Sequence, residues 1–491
     1  MRCIARLAAL LLTAALLSLA MAPLARAQES RWQPAVRVYE TQGRIVSLLL
    51  LADRAGRLHL LWGEEPAPGD ASAAGAAGAP AAAPVQPSAL YTMVQSGDGW
   101  SAPLDILVEP AGSLAGLRGA VDAAGMIHIV YGLDGPLRYA RSLAPTITSA
   151  RDWSAPITLA TGQQTGGSIT VDSAGLLRVT YGAVDQPVQW LTSADGGASW
   201  VGPAALTSAP LLGQATLGPQ VAYGPTGTGH LAWNEGAPGD PAQDAAARSG
   251  GFHASSADGV AWSSPLAVTA LQMRIVALAA DPAGAVHVLV SGVDGVGGRY
   301  HRWSPDGGAN WSEPRELVQP AISAEYSGGD MAVDGAGSLH ATFTAVDGKM
   351  AAHAERARGQ WSPWRNLAPN PPPDAGLLAD VAVEVTLGNR LHAAWRREDG
   401  QIWVAQGVSN APAQAPVELA TPAAPPAVDS APAPEVTAAA TVDIPPTPAS
   451  QGAPAGGASA RVPARILLLL TALPTLLLLG AIFLWQVRRR G

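Results

Sequence analysis

A tryptophan followed within three residues by a proline recurs along most of the chain, and this repeat constrains the fold more than any other feature. The copies begin at Trp32, Trp100, Trp153, Trp200, Trp262, Trp311 and Trp361. Their spacing runs from 47 residues, between Trp153 and Trp200, to 68 residues, between Trp32 and Trp100. Recurring units of this length are supersecondary elements that bury their apolar faces only by packing on their neighbours. Residues 32–407 are therefore predicted to form one array of repeats.

A second motif, Asp-x-x-Gly-x-x-His, also recurs from unit to unit. Complete copies begin at Asp53, Asp122, Asp281 and Asp334, a copy with Arg178 in place of the histidine begins at Asp172, and looser copies lie at 227–230 and 388–392. The flanking residues alternate between apolar and polar, which is typical of β-strands joined by a glycine-containing turn. Each unit is thus predicted to have four strands. Strand A ends at this turn, strand B carries the histidine, strand C follows, and strand D begins at the tryptophan.

Four strands in about 50 residues are the dimensions of one blade of a β-propeller. The last unit ends after its strand C, at 401–407, without a tryptophan of its own, whereas Trp32–Tyr39 is a strand D without a blade. Pairing these two segments would close the ring and protect the sheet edges that an open array exposes. We therefore predict an all-β fold, a seven-bladed β-propeller over residues 28–407 that is closed by its N-terminal strand.

The two ends of the chain predict export and attachment to a membrane. Basic residues, a short apolar run and the small-x-small site Ala25-Arg26-Ala27 are typical of a secretory signal peptide, predicted over residues 1–27. Residues 464–487 are predicted to be a transmembrane helix, because they contain a charge-free stretch long enough to cross a bilayer. The basic tail 488–491 places the C-terminus in the cytoplasm. We expect a single-pass protein of the cell surface with its propeller outside; the alternative is a sorting tail removed after export.

Between the propeller and the apolar segment, residues 408–463 are rich in alanine and proline and have no hydrophobic period. This composition predicts a disordered, partly polyproline linker. Its expected role is to hold the propeller away from the membrane.

Composition excludes several classes of function. The single cysteine, Cys3, lies in the predicted signal peptide, so disulfides, cysteine-based zinc sites and cysteine nucleophiles are excluded from the mature protein. The net charge is −8 and no basic tract lies outside the termini, so nucleic-acid binding has no electrostatic basis. The recurring histidines lie in different repeats and are interpreted as structural polar groups on strand B, not as metal ligands. No cofactor is expected.

The turns between strands C and D are the most specific motif. Ser193-Ala-Asp195-Gly-Gly197-Ala-Ser-Trp200 and Ser304-Pro-Asp306-Gly-Gly308-Ala-Asn-Trp311 fit the pattern S-x-D-x-G-x-x-W, and the turn from Asp258 to Trp262 is one residue shorter. In such turns the serine and aspartate side chains accept backbone N–H groups, and a glycine adopts positive φ. The tryptophan is expected to pack between blades. These turns resemble the Asp boxes (BNR repeats) of the sialidase superfamily, in which their aspartates have a structural role.

The resemblance to sialidases extends to three further segments. Arg44-Ile45-Val46 resembles the Arg-Ile-Pro segment whose arginine clamps the carboxylate of the substrate, with Val46 in place of the proline. Residues 217–221 resemble a Glu-Pro-Gln segment, with Gly218 where the family has its glutamate. Residues 324–327 resemble the segment that carries the tyrosine nucleophile of the family. Sialidases have six blades, so this resemblance implies a six-bladed fold as the alternative to seven.

If the resemblance extends to activity, it implies that Tyr326 and Glu325 are catalytic and that Arg44 binds the substrate carboxylate, together with Arg274 at the start of another strand A. In the predicted topology these strand starts share one rim of the propeller with acidic residues of the B–C loops, such as Asp134. A carboxylate-binding pocket could form there.

Three functions are consistent with these observations. The degenerate catalytic positions favour a binding or interaction module for a glycan or protein ligand. The order of the segments favours the alternative, an active exo-sialidase-type glycoside hydrolase with a tyrosine nucleophile. The low charge and the Ala/Gly-rich loops are also compatible with a structural envelope protein.

Overall fold

The computed structural model of the 491-residue chain describes residues 30–67, 87–97, 99–210, 213–236, 250–270, 273–292, 297–318, 328–345, 348–368 and 376–419. The predicted signal peptide 1–27 and transmembrane helix 464–487 lie outside these residues. Within the described part of the chain, no helix is long and apolar enough to cross a membrane.

The described residues form an all-β structure with one short turn of 3-10 helix at Ala150–Asp152. The first strands are β1 (Arg31–Trp32), β2 (Val36–Glu40), β3 (Arg44–Ala52), β4 (Leu58–Glu65), β5 (Ser88–Ser96), β6 (Gly99–Trp100), β7 (Leu104–Glu109), β8 (Arg118–Val121), β9 (Ile127–Tyr131) and β10 (Gly135–Arg141). The next are β11 (Ile157–Val171), β12 (Leu177–Ala183), β13 (Gln189–Ser193), β14 (Val201–Ala205), β15 (Ala215–Tyr223), β16 (Gly229–Gly236), β17 (Gly250–Ser256), β18 (Leu266–Ala267), β19 (Met273–Ala280) and β20 (Val286–Gly292). The last are β21 (Arg299–Ser304), β22 (Arg315–Val318), β23 (Gly329–Val333), β24 (Leu339–Ala345), β25 (Met350–Ala357), β26 (Gln360–Trp361), β27 (Arg365–Asn366), β28 (Leu378–Thr386), β29 (Arg390–Arg397) and β30 (Gln401–Val408).

These strands pair into antiparallel sheets in the order of the chain. The strand orders are β3-β4-β5-β6 with β7 also on β5, β15-β16-β17-β18, β19-β20-β21-β22, β23-β24-β25-β26 with β27 also on β25, and a seven-stranded sheet from β8 to β14. Inside that larger sheet, β11 pairs through its first half with β10 and through its second half with β12. One long strand therefore joins two groups of four strands.

The sheets are arranged in a closed ring. The inner strand of each group contacts the next one in the sequence β3, β8, β11, β15, β19, β23 and β28, and β28 in turn contacts β3. Sheets packed face to face around an axis in this way are the architecture of a β-propeller. The predicted fold class is therefore confirmed at the level of an all-β propeller.

The ring is closed by strands from both ends of the described chain. β1 and β2 pair in antiparallel fashion with β30, with Arg31 opposite Val408 and Tyr39 opposite Ile402. The predicted pairing of Trp32–Tyr39 beside Gln401–Gly407 is thus confirmed. Its physical reason is that β30 would otherwise present an unpaired edge.

Apolar side chains between neighbouring sheets form the core. Strand B of most units carries an aromatic residue three positions after the histidine or arginine of the motif. These residues are Trp62, Tyr131, Tyr181, Trp233, Phe343 and Trp395, all of them buried. The period of two along the strand puts residues three apart on opposite faces, so histidine and aromatic ring pack against different neighbouring sheets.

The segment that follows β30 differs from the prediction. Residues 408–463 were expected to be a disordered linker, but Val408 is the last residue of β30, and the chain then runs across neighbouring turns to Leu419. The Gln414 amide donates to the Leu387 carbonyl and the Val417 amide to the Arg54 carbonyl. We call residues 409–419 the strap. Turn carbonyls that lack strand partners account for its binding, which composition does not reveal.

Candidate functional site

The ring has two rims with different connections. On the hairpin rim lie the turns between strands A and B, such as 53–56 between β3 and β4, and the turns between strands C and D. On the crossover rim lie the connections from one sheet to the next, such as 110–117 between β7 and β8, and the B–C connections, such as 132–134 between β9 and β10. The strap crosses the hairpin rim.

An open cleft of about 710 Å³ lies on the crossover rim, where three groups of strands meet. We call it the rim cleft. Its polar side chains are Arg44, Glu65, Ser113, Asp134, Arg396 and Glu398. Apolar surface comes from Val46, Ala111, Ala115, Leu133, Pro136 and Ala379, and the buried residue Ile45 lies beneath it. Strand starts, strand ends and short loops thus bring residues from distant parts of the chain to one place.

Arg44, the first residue of β3, lies in this cleft but is engaged by a carboxylate. Its Nη2 and Nε atoms donate to Glu65 Oε2 at 2.5 and 3.1 Å. Glu65 ends the neighbouring strand β4, directly opposite Arg44 in the register. Its second oxygen accepts the Gly112 amide at 3.0 Å. The guanidinium that the sequence suggested as a carboxylate clamp is therefore neutralised by the protein itself.

The second arginine of the cleft, Arg396, is engaged in the same way. Its Nε donates to Asp380 Oδ2 at 2.6 Å, and its Nη1 donates to the Ile45 carbonyl at 2.5 Å. These contacts tie β29 to β28 and to β3, so the side chain bridges two sheets. The role of Arg396 could not be read from the repeats, because it depends on the contact between the last sheet and the first.

Two further carboxylates of the cleft face solvent. Asp134 occupies the turn between β9 and β10 with a φ of 59°, which places it in the left-handed region that aspartate and asparagine tolerate better than most residues. Its amide donates to the Gln164 carbonyl, which fixes the turn. Glu398 follows β29, and its amide donates to the Leu377 carbonyl. The backbone at both positions is held in place while the carboxylates stay exposed.

The other residues suggested by the sialidase resemblance are placed as follows. Arg274 is the second residue of β19, on the crossover rim as the topology predicts, but it is not among the described residues that line the rim cleft. Tyr326 and Glu325 lie outside the described residues. The structure therefore brings Arg44 together with Glu65 and Asp134, and does not bring it together with Arg274 in this cleft.

The turn from Ser193 to Trp200 is held by its own side chains. Ser193 Oγ donates to Asp195 Oδ1 at 2.7 Å and accepts the Gly197 amide at 2.8 Å. Asp195 also accepts the hydroxyl and amide of Ser199, and these hydrogen bonds hold the pKa of its carboxyl well below the usual range. Its carboxylate points into the turn and acts on the backbone.

The turn from Ser304 to Trp311 repeats this arrangement. Asp306 accepts the Asn310 side-chain amide at 2.7 Å and the Asn310 backbone amide at 2.9 Å, which lowers its pKa to about 2. Ser304 donates to Asp306 and accepts the Gly308 amide. In the shorter turn, Asp258 accepts two backbone amides and the Ser256 hydroxyl.

The tryptophans of the repeat lie between sheets. Five of the seven pack at a steep angle against a ring on strand C of the preceding unit, at centroid distances of 4.9–6.4 Å. The pairs are Trp200 with Tyr139, Trp262 with Trp190, Trp311 with His253, Trp361 with His301, and Trp32 with His353. Edge-to-face contact of this kind contributes beyond the burial of area.

Buried histidines extend two of these contacts into hydrogen-bonded chains. Trp361 Nε1 donates to His301 Nδ1, so the proton of neutral His301 lies on Nε2, which contacts His287 Nδ1 at 3.0 Å. His287 Nε2 then faces Asp281 Oδ2 at 3.2 Å. With both imidazole rings neutral, every ring nitrogen from Trp361 through His301 to His287 has a hydrogen-bond partner. The interpretation of the strand B histidines as structural polar groups agrees with this geometry.

The second chain joins the two ends of the described region. Trp32 Nε1 donates to His353, His353 contacts His340, and His340 contacts Asp334 at 3.3 Å. Ser409, the first residue of the strap, also donates to Asp334, at 2.7 Å. We call the chain from Trp32 to Asp334 the closure relay. Among the described residues, no group of three or more metal-ligating side chains could hold a metal ion.

Two carboxylates on adjoining inner strands were not singled out by the sequence. Glu384 on β28 and Asp330 on β23 are surrounded by protein yet partly accessible. Burial, together with the nearby charge of Asp330, raises the pKa of Glu384 to about 8. Burial also raises the pKa of Asp330, whose carboxylate accepts the Val383 and Met331 amides.

A second cleft, of about 680 Å³, lies on the hairpin rim between the last sheet and the first. Its lining includes Trp32, Gln95, Arg390 and Gln406. Trp32 serves there as part of the closure relay, so one wall of this cleft already has a structural role.

The sequence matches no known protein-family model, and no curated protein is significantly similar to it. Several solved structures share its fold. The BP39L lectin from Burkholderia pseudomallei has a TM-score of 0.53 at 14% identity, with 78% of this chain and 100% of the lectin covered. A PL25 ulvan lyase bound to -[GlcA(1-4)Rha3S]- has a TM-score of 0.51 at 12% identity, with 75% and 95% covered. The polysaccharide lyase Uly1 has a TM-score of 0.51 at 9% identity, with 77% and 99% covered. These likenesses show a shared β-propeller fold.

Proposed function

We propose that this protein is a glycan-binding β-propeller whose ligand site is the rim cleft. The observation that carries the proposal is the cleft itself, about 710 Å³ in volume and lined by polar side chains whose backbone is held in place by hydrogen bonds. Ligand sites typically have volumes of about 300–1,000 Å³ and a few convergent polar groups. A lectin and two polysaccharide lyases with the same fold support the assignment to glycans.

The polar groups of the cleft suit sugar hydroxyls. Exposed carboxylates such as Asp134 and Glu398 accept hydrogen bonds from hydroxyl groups, and Ser113 both donates and accepts. The exposed side chains of Leu133 and Pro136 supply apolar surface next to them. These groups come from several connections of one rigid ring, which favours binding without rearrangement.

The proposed propeller has seven blades. Dividing the larger sheet at the middle of β11, where pairing passes from β10 to β12, gives two four-stranded blades and a total of seven. The ring of inner-strand contacts supports this division, because β8 and β11 each have a place in it. Six blades, as in sialidases, would require one of these strands to lie outside the ring.

The alternative, an exo-sialidase, needs Arg44 to be available for the carboxylate of a substrate. The pair between Arg44 and Glu65 favours the binding role instead. A fluorogenic sialoside assay separates the two roles. Turnover by the wild-type chain that is lost in Tyr326→Phe would overturn the proposal of a pure binding module.

The proposed localisation is the cell surface, with the signal peptide 1–27 directing export and residues 464–487 spanning the membrane. Leu419, the last described residue, lies on the hairpin rim close to Gly125.

The proposal can be tested with a steric block. A Cβ atom built on Gly135, at the edge of the cleft, meets nothing within 4 Å, and the residue has no positive φ, so Gly135→Trp can fill the cleft without disturbing the fold. Gly99 on the hairpin rim has the same two properties, and Gly99→Trp is the matched control. On an array of oligosaccharides, we expect the wild type and Gly99→Trp to bind the same glycans, and Gly135→Trp to lose at least about tenfold in affinity. An array without any binding, or equal binding by all three proteins, overturns the proposal.

A further inference from the structure

We infer that the rim cleft selects glycans that lack acidic groups, and that it binds amine-bearing sugars more tightly than neutral ones. This inference rests on the proposed function and adds the class of ligand. It follows from the way in which the charges of the cleft are paired.

Both arginines of the cleft are already occupied by carboxylates of the protein. Arg44 contacts Glu65, and Glu65 is only 14% exposed while Arg44 is 67% exposed. The Gly112 amide holds the other oxygen of Glu65 in place. Because Glu65 already neutralises Arg44, an acidic ligand that binds the remaining N–H groups of the guanidinium would share this charge with a carboxylate that the protein holds in place.

Arg396 offers no better anchor for an acidic sugar. Asp380 and the Ile45 carbonyl accept from two sides of its guanidinium. The guanidinium therefore has both a charge partner and a backbone contact before any ligand arrives, and an incoming carboxylate would share its charge with Asp380.

The remaining charges of the cleft are negative. Asp134 and Glu398 are exposed, and neither forms an ion pair with a cation in the described part of the chain. The described lining thus holds two arginines against three carboxylates, and Asp380 behind Arg396 adds a fourth carboxylate. A uronate or sulfate group placed here faces a net negative charge, whereas an ammonium group finds two unpaired carboxylates.

The test uses the full chain and three tetrasaccharides that share the β-1,4-linked gluco configuration: neutral cellotetraose, chitotetraose with an amine at each C2, and tetraglucuronate with a carboxylate at each C6. At low salt we expect chitotetraose to bind about tenfold more tightly than cellotetraose, and tetraglucuronate about tenfold more weakly. Because charge interactions are screened at high ionic strength, both differences should shrink at about 0.5 M salt.

Two variants link the order of affinities to named residues. Glu65→Gln keeps an acceptor for the Gly112 amide and frees Arg44, so we expect tetraglucuronate to gain about tenfold. Glu40→Gln is the matched control, because Glu40 pairs with Arg37 in an exposed ion pair outside the lining of the cleft. In Asp134→Asn/Glu398→Gln we expect the preference for chitotetraose to disappear; asparagine also tolerates the positive φ at residue 134.

Tetraglucuronate binding as tight as, or tighter than, cellotetraose would overturn this inference and leave the proposed glycan-binding function standing. The same holds if Glu65→Gln and Glu40→Gln change the affinities equally. Failure of the wild type to bind any glycan on the array would overturn the proposed function itself, and the inference with it.

Discussion

The buried histidines predict that the propeller loses stability in mild acid. All nine histidines of the chain are buried. Burial lowers the pKa of His230 to about 4, of His253 to about 3 and of His392 to about 4. It also holds the pKa of His301 and His353 well below the ordinary value. An exposed histidine in the unfolded chain has a pKa of about 6.5.

The sign follows from proton uptake. Each of these five histidines stays neutral in the fold and takes up a proton on unfolding, so its stabilising contribution is complete above about pH 6.5 and is lost as the pH falls towards the folded pKa. From pH 7 to pH 5.5 the loss is about 1.2 kcal/mol for each histidine, or about 6 kcal/mol for five. Glu384, whose pKa is raised to about 8, acts in the opposite direction and offsets about 2 kcal/mol of this loss. The raised pKa of Asp330 acts in the same direction as that of Glu384, and the pKa of His287, which burial lowers, acts in the same direction as those of the five histidines. The free energy of unfolding should therefore fall by about 4 kcal/mol, a large part of the stability of a typical domain.

The measurement is urea denaturation of residues 28–423, monitored by tryptophan fluorescence, at several pH values between 7 and 5.5. His353→Gln serves as the internal check, because a glutamine amide can accept from Trp32 and donate to His340 but does not titrate. In this variant the loss on acidification should be smaller by about 1.2 kcal/mol. A free energy of unfolding that does not change between pH 7 and 5.5 would refute the assignment of these histidines as neutral buried groups.

Two substitutions test the contacts between sheets. Trp32→Phe removes the donor to buried His353, and we expect the free energy of unfolding, measured by urea denaturation, to fall by about 1–3 kcal/mol. The control is Trp403→Phe, whose indole donates to a partly exposed side chain, and here we expect a loss of less than about 1 kcal/mol. Equal effects of the two substitutions would contradict the role of the closure relay. Gly308→Ala should cost about 3 kcal/mol and Gly307→Ala about 1 kcal/mol. Both glycines have positive φ, but only at Gly308 would the new Cβ atom collide with a neighbouring side chain, the imidazole of His253. Similar losses at the two glycines would show that backbone strain, and not this contact, requires glycine.

The ring and its closure could be predicted from the sequence because both are encoded in local repeats. The last repeat has no tryptophan after residues 401–407, and Trp32 is a copy without a repeat of its own. These two facts predict the pairing of the two segments without any knowledge of three-dimensional contacts. The position of Arg44 on the crossover rim was predictable for the same reason, since the direction of a strand fixes the rim on which it starts.

The charge state of the site could not be predicted in this way. Arg44 meets Glu65 only because β3 and β4 pair in a register that shifts between Ile45 and Ser47, and such an irregularity leaves no pattern in the sequence. The contact of Arg396 with Ile45 joins the last sheet to the first, across almost the whole chain. The sialidase resemblance gave the position of the arginine but not its partner.

The histidines on strand C were missed for another reason. His253, His301 and His353 follow the strand B histidines at irregular distances, because the B–C connections differ in length. A search of the sequence for residues at a fixed spacing therefore does not find these three histidines. The alternating pattern of strand C would have indicated that these three positions face inward, and a buried polar residue there requires a partner.

The strap has a mechanical consequence. If the chain is pulled from beyond Leu419, the tension does not reach the edge strand β30 first, because the strap is bonded to the turns of three different sheets, at Arg54, Leu387 and Asp334. Load applied at one point is thus shared among neighbouring sheets. The pairing of β30 with β1 and β2, which closes the ring, therefore does not bear this force first.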